Sequence, residues 1–384
     1  MTFHSVRRRH TEELGSGGEL TLPDDVFDNI IGRLAADGYN CITCGELFSH
    51  LQDEGKLPTK PLLLSFDDGY LDNWTFVAPI LRRHRMKGVV FVATDFIDPS
   101  TELRNSLERT ENPPERGYLN AAELRALDSE GVLEVQSHSA RHSRLPISNE
   151  ILDYHRPKQR DQWLERNVAT PEQLAGEHSG TTAELVPWGT PVFRSEWSSA
   201  AQALFTDDQL AEKLSQHVES NGGADFFTNN NWREQLDRMV LKIGVSSTPE
   251  THEENQLRVC ADLKSAKQQL EEILGHQVPF LAWPGGGCSK ESVSWAIEEV
   301  GHLATFGTNK YCHGVTPSIR AIPRAYFRQN YRGRHDLKLR ADLCRSIIDW
   351  EAGDLRGYLR GFIARRRMSI HRDSNIANNP RRPD

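Results

Sequence analysis

Two carboxylates stand side by side in Ser65-Phe66-Asp67-Asp68-Gly69-Tyr70, at the end of the apolar run Pro61-Leu62-Leu63-Leu64-Ser65-Phe66. One member of such a pair can hold a metal ion while the other takes a proton. Adjacent strand residues point to opposite faces, but where a strand ends and the chain turns, both can reach one pocket. Asp before Gly-Tyr-Leu-Asp also makes a helix N-cap, so the pair alone leaves two readings open. A second piece, His138-Ser139-Ala140-Arg141-His142, follows the apolar stretch Val132-Leu133-Glu134-Val135. Histidines four apart lie on one face of a helical turn and can share one cation; two exposed polar histidines are the alternative. The third piece is Phe280-Leu281-Ala282-Trp283-Pro284-Gly285-Gly286-Gly287. Its glycines would let backbone approach a ligand closely, and Trp283 would offer a flat apolar face to a sugar ring. The alternative there is a plain loop with a packed Trp.

Each piece leaves the end of an apolar run, and the surrounding elements explain how they would meet. Pro23-Asp24-Asp25 opens a helix with Val26, Ile30, Ile31 and Leu34 on one face. A helix over about 71–84 follows the Asp pair, then a buried strand at 89–93, a helix at 121–128 capped by Asn120, and a strand at 132–135. The same rhythm returns with a helix at 256–275, a strand at 278–282, a helix at 291–300 and a strand at 303–306. Alternation of this kind gives a parallel sheet with crossover helices. The C-terminal ends of its strands converge on one rim, where sites form. Asp plus two His is then a three-ligand open site with positions left for water and substrate.

The rest of the chain falls into blocks. Residues 1–146 and 256–334 read as two parts of one barrel. Residues 147–255 are polar, with helices at about 207–219 and 231–241 and no long apolar strand run, so they read as a domain-sized insertion of mostly helix and loop. Trp188 reads as an anchor of its small core. Residues 335–384 form a basic tail, helical over 336–367 and disordered over 370–384. Leu355, Leu359, Phe362 and Ile363, with Arg356, Arg360 and Arg365 to Arg367, make an amphipathic helix. Such a helix either docks on the body or makes a peripheral contact with an anionic membrane.

Of 384 residues, 37% are hydrophobic and 26% charged, enough for a sizeable core and against global disorder. No run of 18 apolar residues marks a transmembrane helix. The net charge of −8 argues against a nucleic-acid partner. Cys41 and Cys44 form a lone CxxC without a second pair at zinc-knuckle spacing, and the other cysteines are scattered, as for packing residues in a reducing compartment. No apolar segment follows Arg7-Arg8-Arg9, so the expectation is a cytoplasmic protein as written, or an exported one if the true start lies upstream.

Taken together, the three pieces resemble the NodB-homology polysaccharide deacetylases, carbohydrate esterase family four. The family's first motif, T-F-D-D-G, is met by Ser65-Phe66-Asp67-Asp68-Gly69 with Ser for Thr. Its H-[ST]-x-x-H is met in full by His138-Ser139-Ala140-Arg141-His142, and its Pro-Gly loop loosely by Trp283-Pro284-Gly285-Gly286. The resemblance covers about 1–146 and 256–327. It implies an α/β fold, a deformed (β/α) barrel, here with a large insertion and a helical tail. It implies Asp67 as catalytic base and Asp68, His138 and His142 as ligands of one divalent metal, zinc first, with cobalt, nickel or iron fitting the same donors. The metal would polarise the acetyl carbonyl and acidify a bound water, the nucleophile. A backbone N–H of the Trp283 to Gly285 segment would face the oxyanion. Tyr70, Trp283, Pro284, Gly285 and Arg324 are the substrate-side candidates, and an N-acetylated glycan is the implied partner.

The chain departs from the family in two places. The family's Leu-x-His general acid is absent after Pro323. A branch acting on the poly-N-acetylglucosamine of biofilms carries its motifs in permuted order, with Tyr/Phe-His in the first strand. Phe3-His4-Ser5-Val6 resembles that piece and makes His4 the candidate acid, ahead of His302 and His313. The Arg that orients the base in the family is Ala282 here, and Arg324 in Ile322-Pro323-Arg324 is its candidate substitute. Rival readings are an inactive glycan-binding protein on the same barrel, and a hydrolase of a non-sugar amide.

Overall fold

The computed structural model describes residues 1–8, 20–175, 185–308, 318–326, 337–351, 354, 356, 357 and 359–363. Seven strands form one sheet, hydrogen-bonded in chain order: β1 (Thr2–Phe3), β2 (Ser65–Phe66), β3 (Gly88–Val92), β4 (Leu133–Ser137), β5 (Phe280–Ala282), β6 (Ala304–Thr308) and β7 (Ala321–Arg324). The registers Thr2↔Ser65, Ser65↔Val89, Leu281↔Ser137 and Phe280↔Ala304 are all parallel. Just past β7, Ala325 O accepts the Thr2 N–H at 2.8 Å and Tyr326 bridges Thr2, so the last strand returns to the first. The result is a nearly closed (β/α) barrel, as expected.

Contact density divides the chain into two compact units: Met1–Val92, Ser100–Gln136 and the described part of Pro323–Asp384 form one, and Ala93–Pro99 with Ser137–Ile322 form the other. In the first, β3 is buried along its whole length, as a parallel strand covered on both faces must be. Phe66 stacks on Phe3 at 5.8 Å and meets Phe27 edge-on at 5.8 Å. Phe27 belongs to the helix Asp24–Ala36, whose buried stripe of Val26, Phe27, Ile30, Ile31 and Leu34 contributes roughly 1.5–3 kcal/mol per large side chain. The expected run 61–66 is split: Pro61–Leu62 pairs with Asn40–Cys41, and only Ser65–Phe66 enters the barrel. The expected helix 71–84 begins instead as a π-helical segment, Asn73–Val77, before the α-helix Ala78–Arg83. Pro79 has no N–H to give the carbonyl of Thr75, which accepts from Leu107 N–H at 3.0 Å. In the tail, Leu337–Glu351 packs on Asp24–Ala36, tied by Arg33–Asp342 at 2.6 Å and by Tyr39 Oη donating to Asp349 at 2.9 Å. Leu359, Phe362 and Ile363 are exposed. Residues 364–384, including Arg365 to Arg367, and Leu355 lie outside the described residues.

Within the second unit, the segment expected to be mostly helix and loop also carries short strands. Arg144–Tyr154 pairs antiparallel with Pro191–Trp197, and Leu204–Thr206 with Ser247–Pro249. Arg144–Tyr154 stays largely exposed or half-buried, so no apolar run marks it as a strand. The two expected helices are Asp208–Ser220 and Trp232–Ile243; with Tyr154, Phe193 and Phe226 they enclose a core of Leu210, Leu214, Val218 and Leu236. Trp188 packs at its edge, stacked on His155 at 4.9 Å. The helix His252–Leu274 starts at a Thr251–Glu254 capping box and ends at left-handed Gly275. Among the described residues, no helix is long and apolar enough to cross a membrane.

Candidate active site

Asp67 is the first residue after β2, and its N–H donates to Phe3 O across the sheet at 3.1 Å. Its carboxylate is gripped by Arg324, the last residue of β7. One guanidinium nitrogen donates to Oδ1 at 2.7 Å and the other to Oδ2 at 2.8 Å. The same guanidinium donates to Ser65 Oγ at 3.1 Å, and Ser65 Oγ is 3.1 Å from Thr2 Oγ1. Asp67 is 4% exposed and Arg324 5%. A planar two-pronged cation matches a carboxylate in a way a lysine cannot, and here it compensates a charge held away from water. His4 is the first residue after β1. The register Thr2↔Ser65, Phe3↔Phe66 continues to place it beside Asp67 on the neighbouring strand. Its half-buried ring meets Tyr326 edge-on at 5.6 Å.

Asp68 takes the left-handed backbone conformation, φ 75°, as do Ser139 at 66° and His142 at 50°. Asp, Asn and His tolerate that region better than most residues. The segment 138–142 is therefore not the expected helical turn: its two left-handed residues bend it into a loop. The rings of His138 and His142 nevertheless come within 5.1 Å, centroid to centroid. His138 Nδ1 lies 2.8 Å from Ala282 O. A carbonyl oxygen can only accept, so Nδ1 carries the proton and Nε2 keeps the lone pair a metal needs. Asp68, His138 and His142 each present one ligand atom, all within 4.8 Å of one another. Metal bonds of about 2 Å to imidazole and carboxylate can span such a group.

The third motif reads differently in three dimensions. Trp283 is 1% exposed and packs with Val259, Leu263, Leu281 and Trp295, so it offers no face to a sugar. Its N–H donates to Phe306 O at 2.9 Å, and Pro284, which is buried, has none to give. Only the N–H of Gly285 within that segment is left to face an oxyanion. The glycines make room for a side chain: a Cβ on Gly285, at φ 55°, would stand 2.1 Å from the Trp197 ring, and one on Gly287 2.3 Å from it.

Trp197 in turn meets His142 edge-on at 5.3 Å and Trp163 at 5.0 Å, while Trp163 lies nearly parallel to His142 at 6.0 Å. Arg144 covers both indoles, at 5.9 and 5.2 Å. Trp163 and Trp197 of the inserted region, and Arg144 just before it, were missed in the sequence, where no motif marks them; the pairing Trp197↔Arg144 brings two of them together. Tyr70 is half-buried and stacked on Tyr118 at 5.2 Å. His302 is 1% exposed and precedes β6, at the opposite end of its strand from the C-terminal ends that carry the other candidates. Burial, with the Lys267 charge second, pushes its pKa down to about 4, so it is a core histidine. His313 lies outside the described residues.

The polysaccharide deacetylase family model matches residues 54–183. YxkH of Bacillus subtilis (strain 168), a protein named as a polysaccharide deacetylase, is 30% identical over 92 residues, 24% of this chain and 30% of that protein. The match thus spans about a third of the curated relative. A de-N-acetylase from Aggregatibacter actinomycetemcomitans has a similar structure, with a TM-score of 0.51 at 14% identity, over 88% of this chain and 98% of that one. The BpsB deacetylase domain from Bordetella bronchiseptica gives a TM-score of 0.47 at 17% identity, over 84% and 93%. Likeness at such identity to the first structure speaks for the fold. The stretch matched by the polysaccharide deacetylase model holds both the Asp-Asp and the His-x-x-x-His motifs, each standing where a barrel strand ends.

Proposed function

We propose that the protein is a metal-dependent hydrolase that removes N-acetyl groups from an N-acetylated glycan. The observation that carries this reading is the division of labour between the paired carboxylates: Asp67 is bound by Arg324, and Asp68 is grouped with His138 and His142. The ligand group and the tautomer that Ala282 O imposes on His138 both suit a divalent cation, zinc first among the metals that accept these donors. When bound, the metal supplies Lewis acidity toward the acetyl carbonyl and toward water. Asp67 takes the proton from the attacking water, with Arg324 fixing the direction of its carboxylate. The Gly285 N–H is the backbone donor for the developing oxyanion. His4, beside Asp67, protonates the departing amine. The place of His4 directly after the first strand supports an exopolysaccharide of N-acetylhexosamine as substrate.

The test is metal analysis combined with acetate release from N-acetylhexosamine oligomers. Asp67→Asn retains metal and loses turnover; His138→Ala loses the metal. A metal-loaded protein that frees no acetate from any such oligomer, yet hydrolyses another amide in a substrate panel, would move the reading to a non-sugar amidase.

A further inference from the structure

We infer that Asp262 is a positioning residue for the two histidines, holding the loop 138–142 in place from the helix His252–Leu274; this rests on the metal reading above. Asp262 Oδ1 accepts the N–H of Arg141 at 3.1 Å and Oδ2 that of Ala140 at 3.3 Å. Those two residues lie between left-handed Ser139 and left-handed His142, where no regular ladder can use their N–H groups. The carbonyls of the loop are held as well: Ser139 O accepts from Thr94 N–H at 3.2 Å and Ala140 O from Asp95 N–H at 3.1 Å. Arg141 adds Nε to Asp95 Oδ2 at 2.9 Å and a bond to Ala169 O at 3.0 Å.

The bonds from Asp262 come from a helix anchored in the core. Val259 and Leu263, flanking it on the helix, are buried in the core with Leu281 and Trp295. Beside it lies a cavity of about 200 Å³ lined by Ser139, Arg141, Ser143, Asn167, Arg258 and Asp262. A shortened side chain at 262 would therefore open onto space rather than be replaced by a packed neighbour. Two N–H groups would lose their acceptor at once, in a loop whose backbone is already strained. Groups that orient metal ligands at one remove typically change metal affinity about 10–100-fold when lost.

The experiment uses the full chain. Zinc affinity is measured by competition with a chelating dye, and the visible spectrum of the cobalt-loaded form is recorded, for the unmodified protein, Asp262→Ala, Asp262→Asn and His138→Ala. Asp262→Ala should bind zinc about 10–100-fold more weakly and shift the cobalt bands. Asp262→Asn should fall between, because its amide oxygen can still accept one of the two bonds. Unchanged affinity and spectrum in Asp262→Ala overturn the assignment, even if its melting temperature falls. Should that variant not fold, unchanged affinity in Asp262→Asn does the same. If the unmodified protein binds no metal, or binds it independently of His138, the metal reading fails and this assignment goes with it.

Discussion

Arg324 closes on both carboxylate oxygens of Asp67, at 2.7 and 2.8 Å, although 257 positions separate the two residues in the chain. Each stands at the C-terminal end of its own barrel strand. Removing the guanidinium in Arg324→Ala leaves a buried carboxylate without its partner, and stability should fall by about 3–5 kcal/mol. Arg324→Lys keeps the charge but not the fork. It should remain folded and metal-loaded while kcat drops about 10–100-fold with little change in KM, since a misdirected base affects the transition state more than substrate binding. Steady-state kinetics with metal analysis checks this; a lysine variant with full kcat would show that the fork is dispensable.

Metal removal should be readable without turnover. Zinc that binds only the folded state raises stability by about 2.7 kcal/mol at a hundredfold excess over its Kd. Thermal unfolding should therefore shift upward with zinc and downward with a chelator in the unmodified protein. His138→Ala should show neither shift. Equal shifts in both proteins would place the binding elsewhere.

Gly285→Ala should be among the more damaging small substitutions in the molecule. The new Cβ meets both a left-handed backbone and the Trp197 ring at 2.1 Å. Backbone strain alone is worth about 1–3 kcal/mol, and the indole must move as well. Urea unfolding should show a loss of at least about 2 kcal/mol, and near-UV circular dichroism should report the displaced tryptophan. Wild-type values in both measurements would mean that the loop shifts freely.

Acid should weaken the fold through His302, whose pKa falls from 6.5 to about 4 on burial. Above pH 6.5 the ring is neutral folded or unfolded, and the full stability is present. As pH falls from 6.5 toward 4, the unfolded chain takes the proton first, and stability declines by about 3 kcal/mol in all before levelling below 4. His302→Leu should flatten that part of the profile. Urea midpoints at pH 7 and 4.5 for both proteins decide it; parallel slopes would assign the acid sensitivity to other groups.

Much of the fold and the site was legible in the sequence because it is local. Strand β3 is five residues buried without a break, and the helix Asp24–Ala36 carries its apolar residues on one stripe. The Asp-Asp and His-x-x-x-His pieces each sit where a strand stops, so neighbours in the chain identify them. The strand Arg144–Tyr154 was hidden because it buries little, and the π-helical segment before Pro79 because it depends on a single missing N–H.

What the sequence by itself determined is the set of groups able to do chemistry and the strand ends that carry them, since residue type and apolar periodicity are properties of short stretches. Only the tertiary structure decided that Arg324 answers Asp67, that Trp283 belongs to the core, and that the Gly285 to Gly287 run makes room for Trp197. Those outcomes depend on which distant segments share a few ångströms of space, and packing over such distances leaves no periodic trace in the chain.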